Sequence, residues 1–233
     1  MNRQEIRLAV QDRIRDPQGI RTTADEINRY IDDGYGDLAA RSGAIVRTAT
    51  INCPAAEHFV PVPQDCLYPI VLRDLGAGQP VDFVDWPFID KRDAQWIRRT
   101  ASYPKVAAMW GLAEMILFEA YSGPGQLEMI YAAIPADLTD SDSPELPLQH
   151  HQALIHYCHA RVLLKDAHAD IAIRRLGAAK AQFKEYNLLA GAVQAWAMDR
   201  HGTMQLAIYG DSLRKPQITA LPELQSSWRG PVQ

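Results

Sequence analysis

The stretch from Thr22 to Gly43, TTADEINRYIDDGYGDLAARSG, is the best-marked helix of the sequence. Thr23 can cap its N-terminus, and Glu26 follows at the spacing of a reciprocal capping box. Apolar and aromatic residues recur every three or four positions, which is typical of the buried face of an amphipathic helix. The residues predicted to be buried on this face are Ile27, Tyr30, Ile31, Tyr35 and Leu38. Gly43 is a suitable C-cap, so we expect the helix to end there.

A second amphipathic helix is predicted before this one, over residues 2–15. Ile6, Val10 and Ile14 recur at steps of four. The turn sequence that begins at Asp16 and Pro17 separates the two helices, because proline fixes one backbone dihedral and the following glycine frees another. The two segments are therefore expected to form a helical hairpin with facing apolar stripes.

From about Ile45 the apolar period changes from helical to two, which indicates β-strands. The predicted strands are Ile45–Asn52, His58–Val62, Leu67–Asp74, Gln79–Phe83, Val106–Trp110, Glu114–Phe118 and Gln126–Ala133. Turns rich in Gly and Pro separate them, and 122–125 is predicted to be a hairpin loop. Short strands with this punctuation favour an antiparallel sandwich or partial barrel.

A short helix is expected inside this β region. Asp85 is placed to cap it, and Trp86, Ile89 and Trp96 are predicted to plug one end of the sheet. Arg98 and Arg99 follow, and we expect them to lie at a solvated helix end, with an intersubunit ion pair as the second choice.

The chain returns to helix after Pro147, first to about Lys165 and then over roughly 170–200. Leu154 and Cys158 are predicted to be buried in the first of these helices, and Phe183 and Leu188 are placed on the packing side of the second. Gly177 and Gly191 are interpreted as sites of close helix approach. The two helices form a second predicted hairpin.

Residues 203–233 have no sustained period but retain large apolar side chains. These are Leu206, Ile208, Tyr209, Leu213, Ile218, Leu221 and Trp228. Such a segment cannot build a core of its own. It is either an arm that becomes ordered against a partner or a frayed terminus, and the sequence leaves both open.

These segments predict an α+β fold. It consists of a helical bundle made of N- and C-terminal helical hairpins, an inserted antiparallel β domain and an extended C-terminal arm. The predicted boundaries are a discontinuous helical core at 1–43 and 147–202, the inserted domain at 44–146 and the arm at 203–233.

Composition narrows the possible functions. The chain has 233 residues, a formal net charge of -4 and mixed charges throughout, so bulk charge gives no case for a nucleic-acid surface. No apolar run reaches the ~18 to 20 residues of a membrane helix, and the first residues are too charged for a signal peptide. We expect a cytoplasmic protein with no membrane partner. Cys53, Cys66 and Cys158 are predicted to be buried thiols rather than a disulfide framework.

Residue types that carry chemistry are concentrated in one group, which comprises His150, His151, His156, His159 and His168. His156 and His159 have a spacing that zinc can use, but the glutamate of an H-E-x-x-H site is missing between them. We expect His151 to be a hydrogen-bonded core residue, and His156 and His159 to face solvent or a partner.

Neighbouring carboxylates are the other candidates for acid–base chemistry. The pairs are Asp32 with Asp33, Asp140 with Asp142, and Asp82 with Asp85. They are interpreted as caps or as a solvated helix face rather than as an acid and base. The sequence therefore predicts no catalytic residue, no metal site and no cofactor.

Four stretches together resemble the head-to-tail adaptor (neck connector) proteins of tailed bacteriophages. They are DRIRDPQGIRTTADEINRYIDDGYGDLAARSGAI at 12–45, VPVPQDCLYPIVLRD at 60–74, LEMIYAAIPADLTDSDSPELP at 127–147 and HHQALIHYCHARVLLKDA at 150–167. The resemblance extends over about residues 3–200. The strongest stretch is the first, which joins a capped helix to a turn and a strand.

The resemblance implies a structural virion protein with no reaction to catalyse. Its implied partners are the portal protein, a tail or nozzle protein, and further copies of itself in a ring of about twelve. It would join the portal vertex after DNA packaging, assemble in the host cytoplasm and remain in the neck of the virion. Packaged DNA would pass through without specific binding. The apolar residues of the arm would contact the portal or a neighbouring subunit.

Two alternatives stay open at this point. A head-completion stopper or tail-terminator protein would also form rings, but it would bind the tail tube first. A metal-dependent or cell-wall-cleaving virion enzyme is the more remote alternative, and its candidate ligands are His156 and His159.

Overall fold

The computed structural model describes residues 1–93, 95–111, 113–165 and 172–201. It confirms a mixed α+β protein that contains antiparallel sheets. The helices are α1 (Arg3–Arg13), α2 (Ala24–Ser42), α3 (Trp86–Arg92), α4 (His151–Lys165) and α5 (Ala172–His201). The strands are β1 (Val46–Cys53), β2 (Phe59–Pro61), β3 (Cys66–Asp74), β4 (Asp82–Phe83), β5 (Thr100–Ala101), β6 (Val106–Trp110), β7 (Glu114–Leu117), β8 (Ala120–Tyr121) and β9 (Gly125–Ala133).

Side-chain caps and a buried carboxylate fix the first two helices. Asn2 and Glu5 form a full capping box at the start of α1. Asp16 organises the loop that follows, because its carboxylate accepts the backbone N–H groups of residues 20–22 at 2.9–3.0 Å. Burial alone would raise the pKa of Asp16, but these hydrogen bonds lower it overall.

The predicted cap of α2 is confirmed in part. The Thr23 hydroxyl accepts the Glu26 backbone N–H at 3.3 Å. The Glu26 carboxylate does not return to residue 23, and so the reciprocal half of the predicted capping box is wrong. It accepts instead from the Tyr30 hydroxyl at 3.0 Å and from Lys165 of α4 at 2.5 Å. Glu26 therefore links two helices.

The helices pack on one another, with α2 in contact with α1, α4 and α5. Tyr186 of α5 is buried and donates its hydroxyl to Asp37 of α2. A Cβ atom added at Gly34 of α2 would lie 2.7 Å from the ring of Tyr157 of α4, so this glycine permits the close approach. The other predicted core residues Ile27, Ile31, Leu38, Leu154 and Cys158 are buried, whereas Tyr30 and Phe183 are partly buried at the border of the core.

Two predictions for α5 are wrong. A Cβ atom at Gly177 or Gly191 would have nothing within 4 Å, and these glycines therefore mark no close contact. Leu188 is 61% exposed. The buried face includes Ala190 and Val193, as the spacing predicts, and also Tyr186.

The longest strand pairs meet in a three-stranded antiparallel sheet of order β1-β9-β3. β1 and β9 pair along their whole length, from Val46 opposite Ala132 to Cys53 opposite Gly125. β3 is an edge strand with register shifts around Pro69, whose missing N–H is tolerated at such a position.

A second sheet has four strands in the order β2-β7-β6-β4. The expectation of an all-antiparallel region is wrong here, since β4 runs parallel to β6 and β5 runs parallel to β8. The reason is the connection between β4 and β6, where α3 and a 3-10 turn at Trp96–Arg98 allow a parallel return. The predicted hairpin at 122–125 is also wrong, because it joins β8 to β9, which do not pair.

The two faces of the four-stranded sheet are buried in different clusters. Its inner face joins the main core through Val60, Ala107, Met115 and Leu117. Its outer face is covered by Ile89 of α3 and by Trp96, which pack on Val106, Ala108 and Ile116. Ile89 and Trp96 are thus buried as predicted, but they cover a sheet face rather than plug its end. Asp85 occupies the N-cap position of α3 without a side-chain hydrogen bond.

The segment 134–147 leads from β9 back to α4 and is fastened to the helices on its way. The Leu138 backbone N–H donates to Asp32 of α2 at 3.2 Å. The Glu145 backbone N–H donates to the buried Tyr35 hydroxyl at 2.7 Å, and the Glu145 carboxylate pairs with Arg47 of β1 at 3.0 Å. No helix in the described part of the chain has the length and hydropathy to cross a bilayer.

Candidate interaction surface

Three aromatic side chains form an exposed surface on the outer side of the four-stranded sheet. Phe59 of β2 is 39% exposed and Trp110 at the end of β6 is 44% exposed. Trp86, the first residue of α3, is half-buried between them and the sheet. We name Phe59, Trp86 and Trp110 the aromatic patch. Exposed apolar surface of this kind is typical of a site that binds another protein.

The rings of the aromatic patch contact one another in edge-to-face geometry. The centroids of Trp86 and Trp110 lie 4.8 Å apart with 72° between their planes, and those of Phe59 and Trp110 lie 6.3 Å apart. Such contacts favour one arrangement of the rings over others. The patch is therefore one connected set of rings rather than three independent side chains.

A buried base supports the aromatic patch. Trp96 is only 6% exposed and meets Trp86 at 5.4 Å between ring centroids. His58 packs edge-on to Trp96 at 5.2 Å, and its Nδ1 donates to the Leu117 carbonyl at 2.8 Å. Because both groups are buried and His58 is hydrogen-bonded, the exposed rings rest on a fixed support.

Acidic side chains adjoin the aromatic patch. Glu114 is exposed and lies opposite Trp110 in the register of β6 and β7. Asp85 is exposed and immediately precedes Trp86. On the other side of Trp96, Arg99 is exposed at the end of the 3-10 turn, as predicted, and it pairs with Asp93 at 2.5 Å and lies over the Phe118 ring. Arg98 is exposed, as expected.

Sequence reasoning included Trp86 and Trp96 but missed Phe59 and Trp110 as surface residues. A signal was present for Phe59, because it is adjacent to Val60 in a strand and the two side chains must face opposite sides. Val60 is buried in the main core, which leaves Phe59 on the outer face. Trp110 gives the same signal, because its strand neighbour Met109 packs against the main core and adjacent strand residues face opposite sides.

The histidines lie among the helices. His151 is buried, and its Nε2 hydrogen-bonds to the Leu146 carbonyl at 2.9 Å, which confirms a core histidine. His156 and His159 were expected to face solvent or a partner, and both are half-buried. His156 hydrogen-bonds to Gln182 of α5 at 2.9 Å, and the Nδ1 atom of His159 is buried. Burial lowers the pKa of His159, and the nearby Arg13 lowers it further. His168 lies outside the described residues.

No group of three or more potential metal ligands occurs within the described residues. His156 and His159 are adjacent on α4, but their neighbours are an amide and an arginine. The three cysteines are free and buried, as predicted. Burial raises the pKa of Cys53 and of Cys66 to about 11 and raises that of Cys158 further.

The carboxylates of the predicted pairs hold elements together. Asp32 was expected on a solvated face, but its half-buried carboxylate pairs with Arg3 of α1 at 3.3 Å, and burial raises its pKa. Asp140 pairs with Arg7 at 3.0 Å, and the hydrogen bond from that guanidinium lowers its pKa. Asp142 accepts the Thr139 backbone N–H at 2.8 Å, which makes it a cap as interpreted.

The sequence-predicted contact residues of the arm lie outside the described residues. They are Leu206, Ile208, Tyr209, Leu213, Ile218, Leu221 and Trp228. Among the described residues, the aromatic patch is therefore the candidate interaction surface.

The α+β fold with an exposed aromatic surface is consistent with a structural protein that acts by contacting other proteins. The family model described as SU10 adaptor protein matches residues 1–206. The chain belongs to this family, which is a family of phage head-to-tail adaptors. A search of the curated proteins gives no match.

Proposed function

We propose that the chain is a ring-forming adaptor that binds the portal after DNA packaging and provides the platform for the tail. The observation that carries this proposal is membership of a phage adaptor family over residues 1–206. A closed ring needs two unlike surfaces on each subunit, because one copy must bind a different face of the next. We assign these two roles to the exposed aromatic patch and to the apolar residues beyond 203.

We propose three parts with different roles. Residues 1–43 and 147–202 form a helical scaffold, and 44–146 form an inserted β domain that carries the aromatic patch. Contacts of α4 with α1, α2 and α5 support the scaffold. Residues 203–233 serve as an arm for the portal or a neighbouring subunit, and packaged DNA passes through the ring without specific binding.

The proposed location follows from these roles. The chain assembles in the host cytoplasm and remains at the portal vertex in the neck of the virion. As a member of a structural family, it is proposed to act without catalysis and without a cofactor. Its proposed tail-side partner is a tail or nozzle protein.

Deletion of the arm tests the proposal. A variant without residues 206–233 is expected to unfold cooperatively, like the full chain, but to lose attachment to the portal protein of the same virus. A matched control without residues 229–233 keeps all seven apolar contact residues and is expected to attach. Gradient sedimentation with the portal measures attachment, and electron microscopy shows whether a ring of density is added.

Attachment of the longer deletion at full strength would refute the role of the arm. A full chain that adds no ring to the portal would refute the adaptor function itself. Binding to the tail tube in the absence of portal would favour the stopper or tail-terminator alternative.

A further inference from the structure

We infer that the aromatic patch binds the proline-containing segment Leu213–Leu224 from the arm of a neighbouring copy. This inference rests on the proposed function, since it names the contact that would join one subunit to the next. The proposed binding segment has the sequence LRKPQITALPEL.

The shape and chemistry of the aromatic patch suit proline. Trp86 and Trp110 are in edge-to-face contact, with 4.8 Å between centroids and 72° between their planes, so the two rings present an angled aromatic surface. Surfaces lined by tryptophan and other aromatic rings bind proline-containing extended segments, because these lose little entropy on binding. Pro216 and Pro222 supply such residues, and Leu213, Ile218 and Leu221 supply apolar side chains beside them.

Charge gives a second, independent match. Glu114 lies opposite Trp110, and Asp85 precedes Trp86, so carboxylates adjoin the aromatic patch on two elements. Arg214 and Lys215 directly precede Pro216. With Pro216 packed against the exposed rings, these two cations can reach the carboxylates or the ring faces. The other cation of the arm is Arg229, which lies outside the proposed segment, two positions before a third proline, Pro231.

The chain length outside the described part permits this contact. α5 is described to His201, and Leu213 follows twelve positions later. That length of chain extends to about 40 Å, which is enough to cross from one small domain to the next. A contact between an arm and an unlike surface of the next copy is also the heterologous type that closes a ring.

A photocrosslinking experiment on the full chain tests the inference. Benzoylphenylalanine replaces Ile218, and equal amounts of unlabelled and ¹⁵N-labelled chain are mixed, concentrated and irradiated, alone and with the portal protein. We expect crosslinks to peptides that contain Phe59, Trp86 or Trp110. In assembled material, about half of these crosslinks should join a labelled chain to an unlabelled chain, because the two forms mix at random between copies.

Trp110→Ser is the test variant and Leu188→Ser is the matched control, because both remove an exposed large apolar side chain. Trp110→Ser is expected to lower the crosslink yield at the patch about tenfold, as the loss of an aromatic anchor does in other interfaces. Leu188→Ser should leave the yield unchanged. Circular dichroism and thermal unfolding verify that both variants fold. Pro216→Ala with Pro222→Ala provides a second route, since it leaves the folded residues intact and should also lower the yield.

Crosslinks that map elsewhere would overturn the inference, and so would patch crosslinks that join only chains of the same label, because these come from the chain's own arm. An equal effect of the two serine variants would overturn it as well. Failure of the proposed function gives a different result. In that case the chain would not sediment with the portal, but crosslinks between labelled and unlabelled chains would still form at the patch in the concentrated chain alone.

Discussion

At Gly34 the backbone of α2 lies close to a side chain of α4, the ring of Tyr157. The ring of Tyr157 that covers it is held from the other side by Phe183 and Tyr186 of α5, at 5.9 and 5.2 Å between centroids. Tyr157 therefore has little freedom to move away from a larger residue at this position.

Substitution of this glycine tests the contact between the helices. Gly34→Ala is expected to lower the free energy of unfolding by about 1–3 kcal/mol, because the new methyl group overpacks the Tyr157 ring. Gly36→Ala is the matched control in the same helix, where a Cβ atom would have nothing within 4 Å. It should raise stability by about 0.5–1 kcal/mol through helix propensity. Chemical denaturation of both variants measures the difference, and a stabilising Gly34→Ala would contradict the packing.

Single residues also show how far local sequence rules extend. Thr23 and Gly43 could be assigned from the sequence, because caps depend on neighbours within a few positions. The contacts of Asp32 and Glu26 could not be assigned from the sequence. Their carboxylates pair with Arg3 and Lys165, which lie in other helices. A charged residue looks solvated in a sequence until its remote partner is known.

The junction between α2 and β1 depends on Gly43. Its φ of 60° is in the left-handed region, and an added Cβ atom would clash with the Tyr68 hydroxyl of β3. The glycine thus serves two purposes, since it ends the helix and leaves room for the edge strand.

A pair of glycine variants separates these two purposes. Gly78→Ala, at φ 65° in open space, should cost about 1 kcal/mol for the backbone conformation alone. Gly43→Ala should cost about 1–3 kcal/mol more because of the clash. Addition of Tyr68→Phe should recover part of that excess, as it removes the clashing hydroxyl. If the second substitution restores nothing in urea unfolding, steric conflict with Tyr68 is not the cause.

At the scale of elements, helices were easier to predict than strand partners. The bounds of β6 and the existence of β1, β3, β7 and β9 follow from local periodicity. The pairing of β9 with both β1 and β3 cannot be derived from periodicity, because the apolar period and the turns indicate which face of a strand is buried but not which strands are its neighbours in the sheet. The parallel pair of β4 and β6 depends on α3, whose packing no local pattern reveals.

The stability of the whole molecule should depend on pH through its buried histidines. Burial lowers the pKa of His150, His151 and His159 below the ordinary value of 6.5. The unfolded chain therefore binds protons first as the pH falls. Stability from this source is complete above about pH 6.5 and is lost as the pH falls towards the lowered values.

Urea unfolding at about pH 7.5 and about pH 5.5 measures this dependence. The full chain should be less stable at the lower pH. His151→Gln should show a smaller decrease between the two conditions, whatever its stability at the higher pH, because one of the contributing groups is gone. An equal or larger decrease in the variant would show that His151 does not contribute.

The candidate surface could be predicted only in part. The helical order, the apolar positions beyond 203 and the two buried tryptophan contacts were visible in the sequence. The aromatic patch was indicated only in part. Strand alternation places Phe59 and Trp110 on the outer face, but their meeting with Trp86 of α3 depends on tertiary packing, which has no local pattern.

Both chain crossings between the helices and the sheets are anchored. On the way in, Gly43 fits beneath Tyr68, and on the way out the backbone of residues 138 and 145 is bonded to α2. A mechanical load applied to the sheets is therefore transmitted to the helices through two fixed connections. In the proposed ring, each copy would then tilt as a rigid body during genome release, and the flexibility of the ring would come from the contacts between copies.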